Sequence, residues 1–464
     1  MLHAVAKNPE GVRKDQSLDA LARQWNVAQF ISFAPDPSGR LVQTFSRVQG
    51  FVPNHVFPSL KDAISQLFLQ SSEGTINLRS FAPDNPRSRE FVYAIQDIQT
   101  AVSEAIRLAS QGLFVIANET VDVNDGGVSG VLHGDIIEFA PGDTPRCVEK
   151  PGVASLPRSW GLKLLTTVYG FTPEMDHAAD GRLEFSVHPK PRGWKSSHTL
   201  VWEYEQITSP RQALTISWPN RFSRHLGDKA FGLLVAHEIG LPVPRTIVFG
   251  RHVAPFTFGL ETESHEVWIR TCPSDPDPGR FTTRKGWVDP FELLAREDAK
   301  GSTIAAVLCQ AAIPAKFSGA TIVTVDGKLE VEGRAGEGDA LMLGKQQPEP
   351  LPDEILHDVS AAHQRLNRSL GPVRFEWVHD GKRAWIVQLH CGATESSGST
   401  LVPGQPEYWV EFEIEKGIDA LRRCLSHLPL DVGVTLIGSM GLTSHLADLV
   451  RKSKRPAKII SPAT

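Results

Sequence analysis

Residues 374–388, RFEWVHDGKRAWIVQ, hold two runs rich in aromatic and β-branched residues on either side of the turn His379-Asp380-Gly381-Lys382. Runs of that kind separated by an Asp-Gly turn read as a β-hairpin. On neighbouring strands of a hairpin, Glu376 and Gln388 can point their oxygens to one face and share a hard cation, magnesium above all, whose remaining ligands are phosphate and water. A hairpin with one Glu and one Gln is more often only a hairpin. The pair gains meaning from what surrounds it.

Upstream, VWIRT (267–271), ATIVTV (320–325) and LEVEG (329–333) have strand composition, while KAFGLLVAHEIG (229–240) and PFELLAREDAKG (290–301) space their apolar residues as helices do. The alternation predicts α+β lobes rather than a parallel, doubly wound sheet. Several residues in this region suit a phosphate. Lys229 opens a helical run that ends in the turn Gly240-Leu-Pro-Val-Pro, and a lysine there can reach phosphate oxygens as a point charge or simply sit on the surface. Arg270 lies among apolar neighbours and needs an anionic partner, which a salt bridge or a triphosphate could supply. Gln310 could meet an adenine edge or a backbone group. The stretch Glu332 to Gly344, with Gly336 and Gly338, could wrap a nucleotide or form a plain turn.

The chain also repeats itself. INLRS (76–80) matches VWIRT, VSG (128–130) matches FSG (317–319), RLEFSVH (182–188) matches RFEWVH (374–379), and TLVWEYE (199–205) matches AWIVQLH (384–390). These matches set Arg79 opposite Arg270, Glu184 opposite Glu376 and Glu203 opposite Gln388, in one order and at nearly one offset. No lysine of the first half aligns well with Lys229; Lys14, before SLDALARQWN, is the nearest.

In order, these pieces resemble the nucleotide-binding part of phosphoenolpyruvate synthase and pyruvate phosphate dikinase, over about 170 residues between Arg221 and Cys391. Asp228 stands where that family usually has a second glycine, and Cys391-Gly392 replaces its arginine-proline. The resemblance implies an ATP-grasp fold with ATP and Mg2+ as cofactors. In it Lys229 and Arg270 hold phosphates, Gln310 lies near the adenine, Glu332 meets the ribose or adenine side, and Glu376 and Gln388 hold the metal. Residues 440–457, MGLTSHLADLVRKSKRPA, resemble the same enzymes' phosphohistidine segment through Gly441, Thr443, His445, Ala447, Arg451, Pro456 and Ala457. His445 would then lie near a helix N-terminus, a favourable place for a phosphate. A capping subdomain with an inert histidine is the other reading, because only about 30 residues (408–438) precede the segment.

The expected architecture is α+β: two tandem ATP-grasp-like halves, 1–206 (degenerate) and 207–392, a linker at 393–407 and a small α/β tail at 408–464. With 464 residues, 41% apolar, 22% charged and a formal charge of −5, the composition is that of an ordinary globular protein with no field favouring nucleic acid. The basic cluster Arg451, Lys452, Lys454, Arg455 and Lys458 reads as a solvated helix face. Five scattered cysteines without a CxxC pair, no signal-like start and no long apolar run point to the cytoplasm and away from membranes. The functional expectation is an ATP-dependent phosphotransferase acting on a small-molecule or protein acceptor, through His445 or directly, with a partner subunit or homo-oligomer open. The alternatives are a carboxylate–amine ligase and a nucleotide-binding regulatory subunit.

Overall fold

The computed structural model describes residues 13–145, 148–175, 181–206, 216–275 and 281–460. The expected break at 207–220 falls largely outside them, as does Cys147; the other four cysteines are free. The chain divides into two compact units, Met1–Thr166 with Phe171–Leu214 and Thr167–Gly170 with Thr215–Thr464.

In the first unit the continuously buried run Phe30–Phe33 fits the interior of a sheet. That sheet is antiparallel, with β1 (Phe30–Pro35), β2 (Leu41–Arg47), β3 (Ile76–Ala82), β4 (Asn85–Ile95) and β5 (Phe114–Glu119) in the order β2-β1-β5-β3-β4. Helix α1 (Lys14–Gln24) precedes it. Helices α2 (Leu60–Gln70) and α3 (Ile98–Ala109) bury Ile64, Leu67, Ala101, Ala105 and Leu108 in a core with Ile31, Phe33, Leu78 and Val115. A second antiparallel sheet follows: β6 (Val128–His133), β7 (Ile136–Ala140), β8 (Ala154–Pro157), β9 (Gly181–Arg192) and β10 (Ser197–Gln206), ordered β10-β9-β6-β7-β8. Helix α4 (Arg158–Tyr169) lies between β8 and β9 in sequence.

The second unit opens with α5 (Arg221–Leu226), started by a reciprocal capping box between Asn220 and Ser223, and α6 (Asp228–Glu238). Its first sheet contains β11 (Thr246–Gly250), β12 (Phe256–Phe258), β13 (Val267–Pro273), β14 (Thr283–Lys285) and the fully buried centre of β15 (Ile304–Ala311), ordered β12-β11-β15-β13-β14. Helix α7 (Pro290–Glu297), capped by Asp289 with Pro290 at its first position, covers one face through Leu293 and Leu294. The second sheet is β17-β16-β18-β19, from β16 (Phe317–Val323), β17 (Leu329–Ala335), β18 (Val373–His379) and β19 (Ala384–Cys391), with α8 (Asp339–Met342) and α9 (Asp353–Leu370) between β17 and β18. Helix α9 buries Ile355, Val359, Ala362, Leu366 and Leu370, spaced three and four apart, and packs on β18 and β19.

The strand orders of the two units coincide. Each first sheet runs second-first-fifth-third-fourth, and β10-β9-β6-β7 matches β19-β18-β16-β17, with β8 an added edge strand. Registers coincide too. Glu184 pairs with Glu203 as Glu376 pairs with Gln388, and beside each pair one residue, Trp202 or Val387, is left over as a bulge. Gly130 and Gly319 occupy the same place in β6 and β16. A Cβ on Gly130 would lie 2.3 Å from Phe185, and one on Gly319 would lie 2.8 Å from Trp377. Only glycine lets those rings close over the sheet.

The tail is a small α/β layer. β21 (Tyr408–Glu413), β22 (Val432–Ile437) and β23 (Ala457–Ile460) are parallel, and β20 (Thr400–Val402) joins antiparallel to β23. Helices α10 (Gly417–His427) and α11 (His445–Ser453) bury Leu421, Leu425, Leu446 and Val450 on it. The stretch 393–407 therefore supplies β20 and the fully buried Leu401 to the tail's core. Two arginines of the basic cluster also depart from the solvated face expected of them. Arg451 donates to Asp448, Ser396 and the Leu442 carbonyl, and Arg455 donates to the Pro429 and Leu425 carbonyls. Among the described residues no helix is long and apolar enough to cross a membrane.

Candidate functional site

Strand alternation divides β13 between two faces. Ile269 enters the core under α7, while Trp268 and Arg270 share the opposite face with Gln310 and Leu308 of β15, their register partners. Gln310 is almost fully buried, with one long contact of 3.5 Å to Thr246 Oγ1. Arg270 Nη1 donates to the carbonyl of Val387 at 3.2 Å, and Val387 is the bulged residue whose place outside the ladder leaves that oxygen available. Glu376 Oε2 lies 4.0 Å from the same guanidinium nitrogen, and Arg270 Nε is buried without a hydrogen-bond partner among the described residues.

Lys229, second in α6, comes close because α6 lies against β19 at Gly232, where a Cβ would meet the Leu389 carbonyl oxygen at 2.3 Å. Its ammonium has a single hydrogen bond among the described residues, a marginal 3.5 Å contact to the Thr271 carbonyl. Burial pushes its pKa below the ordinary lysine value, and Arg270 acts in the same direction against Glu376. The neighbouring Cys272 thiol is pushed up to about 11 by burial. Two cations thus stand together with their donors largely unused.

Across the second sheet, Glu332, Ala320, Glu376 and Gln388 form one row, each the register partner of the next. The expected metal pair is therefore adjacent. Glu332, expected at a ribose or adenine, has its carboxylate engaged within the chain. Its carboxylate accepts from Leu442 N at 2.8 Å, Thr443 N at 2.9 Å and Thr443 Oγ1 at 2.6 Å, so it anchors the tail. Gly441 allows this approach, since a Cβ there would be 2.5 Å from Glu332 Oε2. Gly336 is a left-handed turn residue with φ +78°, and Gly338 caps α8 against Ser318.

The anchored tail brings His445 to the same region as the first residue of α11, after the N-cap Ser444, whose hydroxyl accepts from Ala447 N. His445 is close enough to act electrostatically on Asp339, His390 and Asp448, and Asp339 also feels Arg270 and Glu376. Asp448 is held 2.8 Å from Arg374 Nη1 and 2.9 Å from Arg451 Nη1. Burial raises the pKa of Asp339, with Arg270 opposing, and burial followed by Arg374 holds His390 down to about 3. The sequence reading missed Asp339, Arg374, His390 and Asp448. Only Asp339 carried a local signal, an acid closing the run Gly336-Glu-Gly.

No family model matches this chain, and no curated protein matches it. Among solved structures it is similar to an ATP-grasp RimK domain protein from Sphaerobacter thermophilus DSM 20745, at 20% identity over 36% of this chain and 60% of that one, with a TM-score of 0.23. It is similar to D-alanine–D-alanine ligase from Helicobacter pylori at 12% identity, over 37% of this chain and 52% of that one, TM-score 0.25. For the Bacillus anthracis D-alanine–D-alanine ligase complexed with ATP the figures are 13%, 34%, 53% and 0.22. The chain thus spans less than two thirds of each of these structures.

Proposed function

We propose that the second unit binds ATP and magnesium in an ATP-grasp manner, between the Arg270 face of its first sheet and the row Glu332–Gln388 of its second, and transfers a phosphoryl group. The observation that carries this reading is the pair of under-used cations, Lys229 with one 3.5 Å contact and Arg270 with its buried, partnerless Nε, beside the carboxylate of Glu376. Partly buried cations left in that state favour a polyanion. Glu376 and Gln388, adjacent in register, fit a hard cation that takes two protein oxygens and completes its shell with phosphate and water. Bound there, magnesium would neutralise charge on the phosphates. Lys229 and Arg270 would orient the transferring group, and Gln310, on the Arg270 face, is the candidate for the adenine edge.

In our first reading the acceptor is His445. The phosphorus–oxygen bond to the departing nucleotide breaks, a phosphorus–nitrogen bond forms on the imidazole, and the ring proton passes to Asp339, whose raised pKa suits it to hold one. The phosphoenolpyruvate synthase-like motif of 440–457 supports this reading, as does the position of His445 within electrostatic reach of Asp339 and His390. A second reading keeps the nucleotide and changes the acceptor to a substrate carboxylate, which an amine then attacks. It is favoured by the firm anchoring of 442–451 through Glu332, Arg374 and Arg451, which makes the tail a fixed wall. The coincident strand orders and bulges support two tandem halves, with the first a degenerate copy.

Incubation with magnesium and ATP labelled at the γ or β position separates the readings. Acid-labile, base-stable label on the protein that disappears in His445→Ala supports the carrier. ADP release that requires both a carboxylate and an amine supports the ligase. Nucleotide binding without turnover would leave a regulatory subunit.

A further inference from the structure

The hairpin carries an amide whose orientation decides whether it can serve a cation. Gln388 has a carbonyl oxygen that can ligate a metal and an NH2 group that would repel one, and the two ends are nearly the same shape. Something beside it must tell them apart.

Gln388 and His390 project from the same face of β19, two residues apart, and Gln388 Nε2 lies 2.7 Å from His390 Nε2. An amide nitrogen only donates, so this ring nitrogen accepts. Across the strand pair, His390 faces Arg374 and Gln388 faces Glu376. Arg374 is turned to Asp448 at 2.8 Å, so the ring is left to the amide. In the first unit the corresponding register positions are Glu203 and Glu205, so this pairing of amide and ring belongs to the second unit alone.

We propose that His390 is a positioning residue: by accepting from the Gln388 NH2 group it turns the amide oxygen toward the cation held with Glu376. This rests on the metal-binding reading of Glu376 and Gln388 given above. Loss of the acceptor frees the amide to rotate and present NH2 to the cation or to Glu376. Groups that orient metal ligands in this way typically change metal affinity by about 10- to 100-fold when removed.

The test uses the full chain, Mn2+ as the probe ion and a non-hydrolysable ATP analogue, with Mn2+ binding followed by electron paramagnetic resonance. Binding of the analogue is measured separately in EDTA. His390→Leu removes the acceptor, and His390→Gln supplies a carbonyl oxygen in its place. The inference requires His390→Leu to weaken Mn2+ binding by about 10-fold or more, with metal-free analogue binding unchanged and His390→Gln restoring most of the loss. Unaltered Mn2+ affinity in His390→Leu overturns it, and so does equal impairment of the two variants. If the wild-type chain binds the analogue but no Mn2+ with it, the metal reading of Glu376 and Gln388 fails, a result distinct from a failure of His390 alone.

Discussion

Glu332→Gln tests how the tail is held. The wild-type carboxylate accepts three hydrogen bonds, from Leu442 N, Thr443 N and Thr443 Oγ1, at 2.6 to 2.9 Å. Hydrogen bonds to a charged group contribute about 1.5–3 kcal/mol each when well buried. Glu332 is half-buried, so about 1 kcal/mol apiece is the safer figure, or roughly 3 kcal/mol for the three. Glutamine keeps the volume but removes the charge, and its NH2 end opposes donors that the carboxylate oxygen accepted from. At about 1.4 kcal/mol per factor of ten, local opening of 442–443 should become about 100-fold more frequent. Hydrogen–deuterium exchange resolved to the Leu442 and Thr443 amides reads this directly, while β18 amides serve as the unchanged reference. Equal exchange at Leu442 and Thr443 in variant and wild type would refute the anchoring role.

Asp228 gives a pH dependence of stability. Burial raises its pKa from 3.8 to about 6, Ser223 Oγ donates to Oδ1 at 2.6 Å, and Oδ2 is buried with no partner among the described residues, which leaves the charged form poorly compensated. The folded state keeps this proton at pH values where the unfolded chain has lost it, so the contribution is complete below about pH 4 and lost as pH rises through about 6. At about 1.4 kcal/mol per pKa unit the loss is roughly 3 kcal/mol, and Asp228→Asn should shrink the fall in melting midpoint between pH 4 and pH 8. Gly319→Ala should destabilise the second unit by several kcal/mol, because its Cβ would lie 2.0 Å from the Glu332 carbonyl oxygen and 2.6 Å from Gly333 Cα; a melting midpoint equal to wild type would refute that packing. Arg270→Met should lose nucleotide affinity while keeping most of the side chain's volume beside Trp268, and unchanged affinity in a binding titration would move the phosphate elsewhere.

Much of this was legible in the sequence where local pattern decides it. The hairpin pair Glu376–Gln388 follows from two short alternating runs and a turn, and the matches of Arg79 with Arg270 and Glu184 with Glu376 reappear in register. Features made by distant residues were not legible. Glu332 meets a backbone 110 residues further on, and Arg374 meets Asp448 across 74 residues, so neither partner could be read from neighbours. Two arginines of the basic tail cluster depart from the solvated face for a related reason. Composition records the charges of Arg451 and Arg455 but not the carbonyls of Leu442, Pro429 and Leu425 that occupy their donors. Asp228, where the resemblance led to the expectation of a glycine, accepts from the Ser223 hydroxyl at the junction of α5 and α6.

The most direct test of the central claim is isothermal titration of the full chain with ATP at millimolar magnesium, repeated on Lys229→Ala. Saturable binding at one site that the variant loses, with its melting profile unchanged, is the expected result. Absence of any nucleotide binding by the wild-type chain, or undiminished binding by Lys229→Ala, would contradict it.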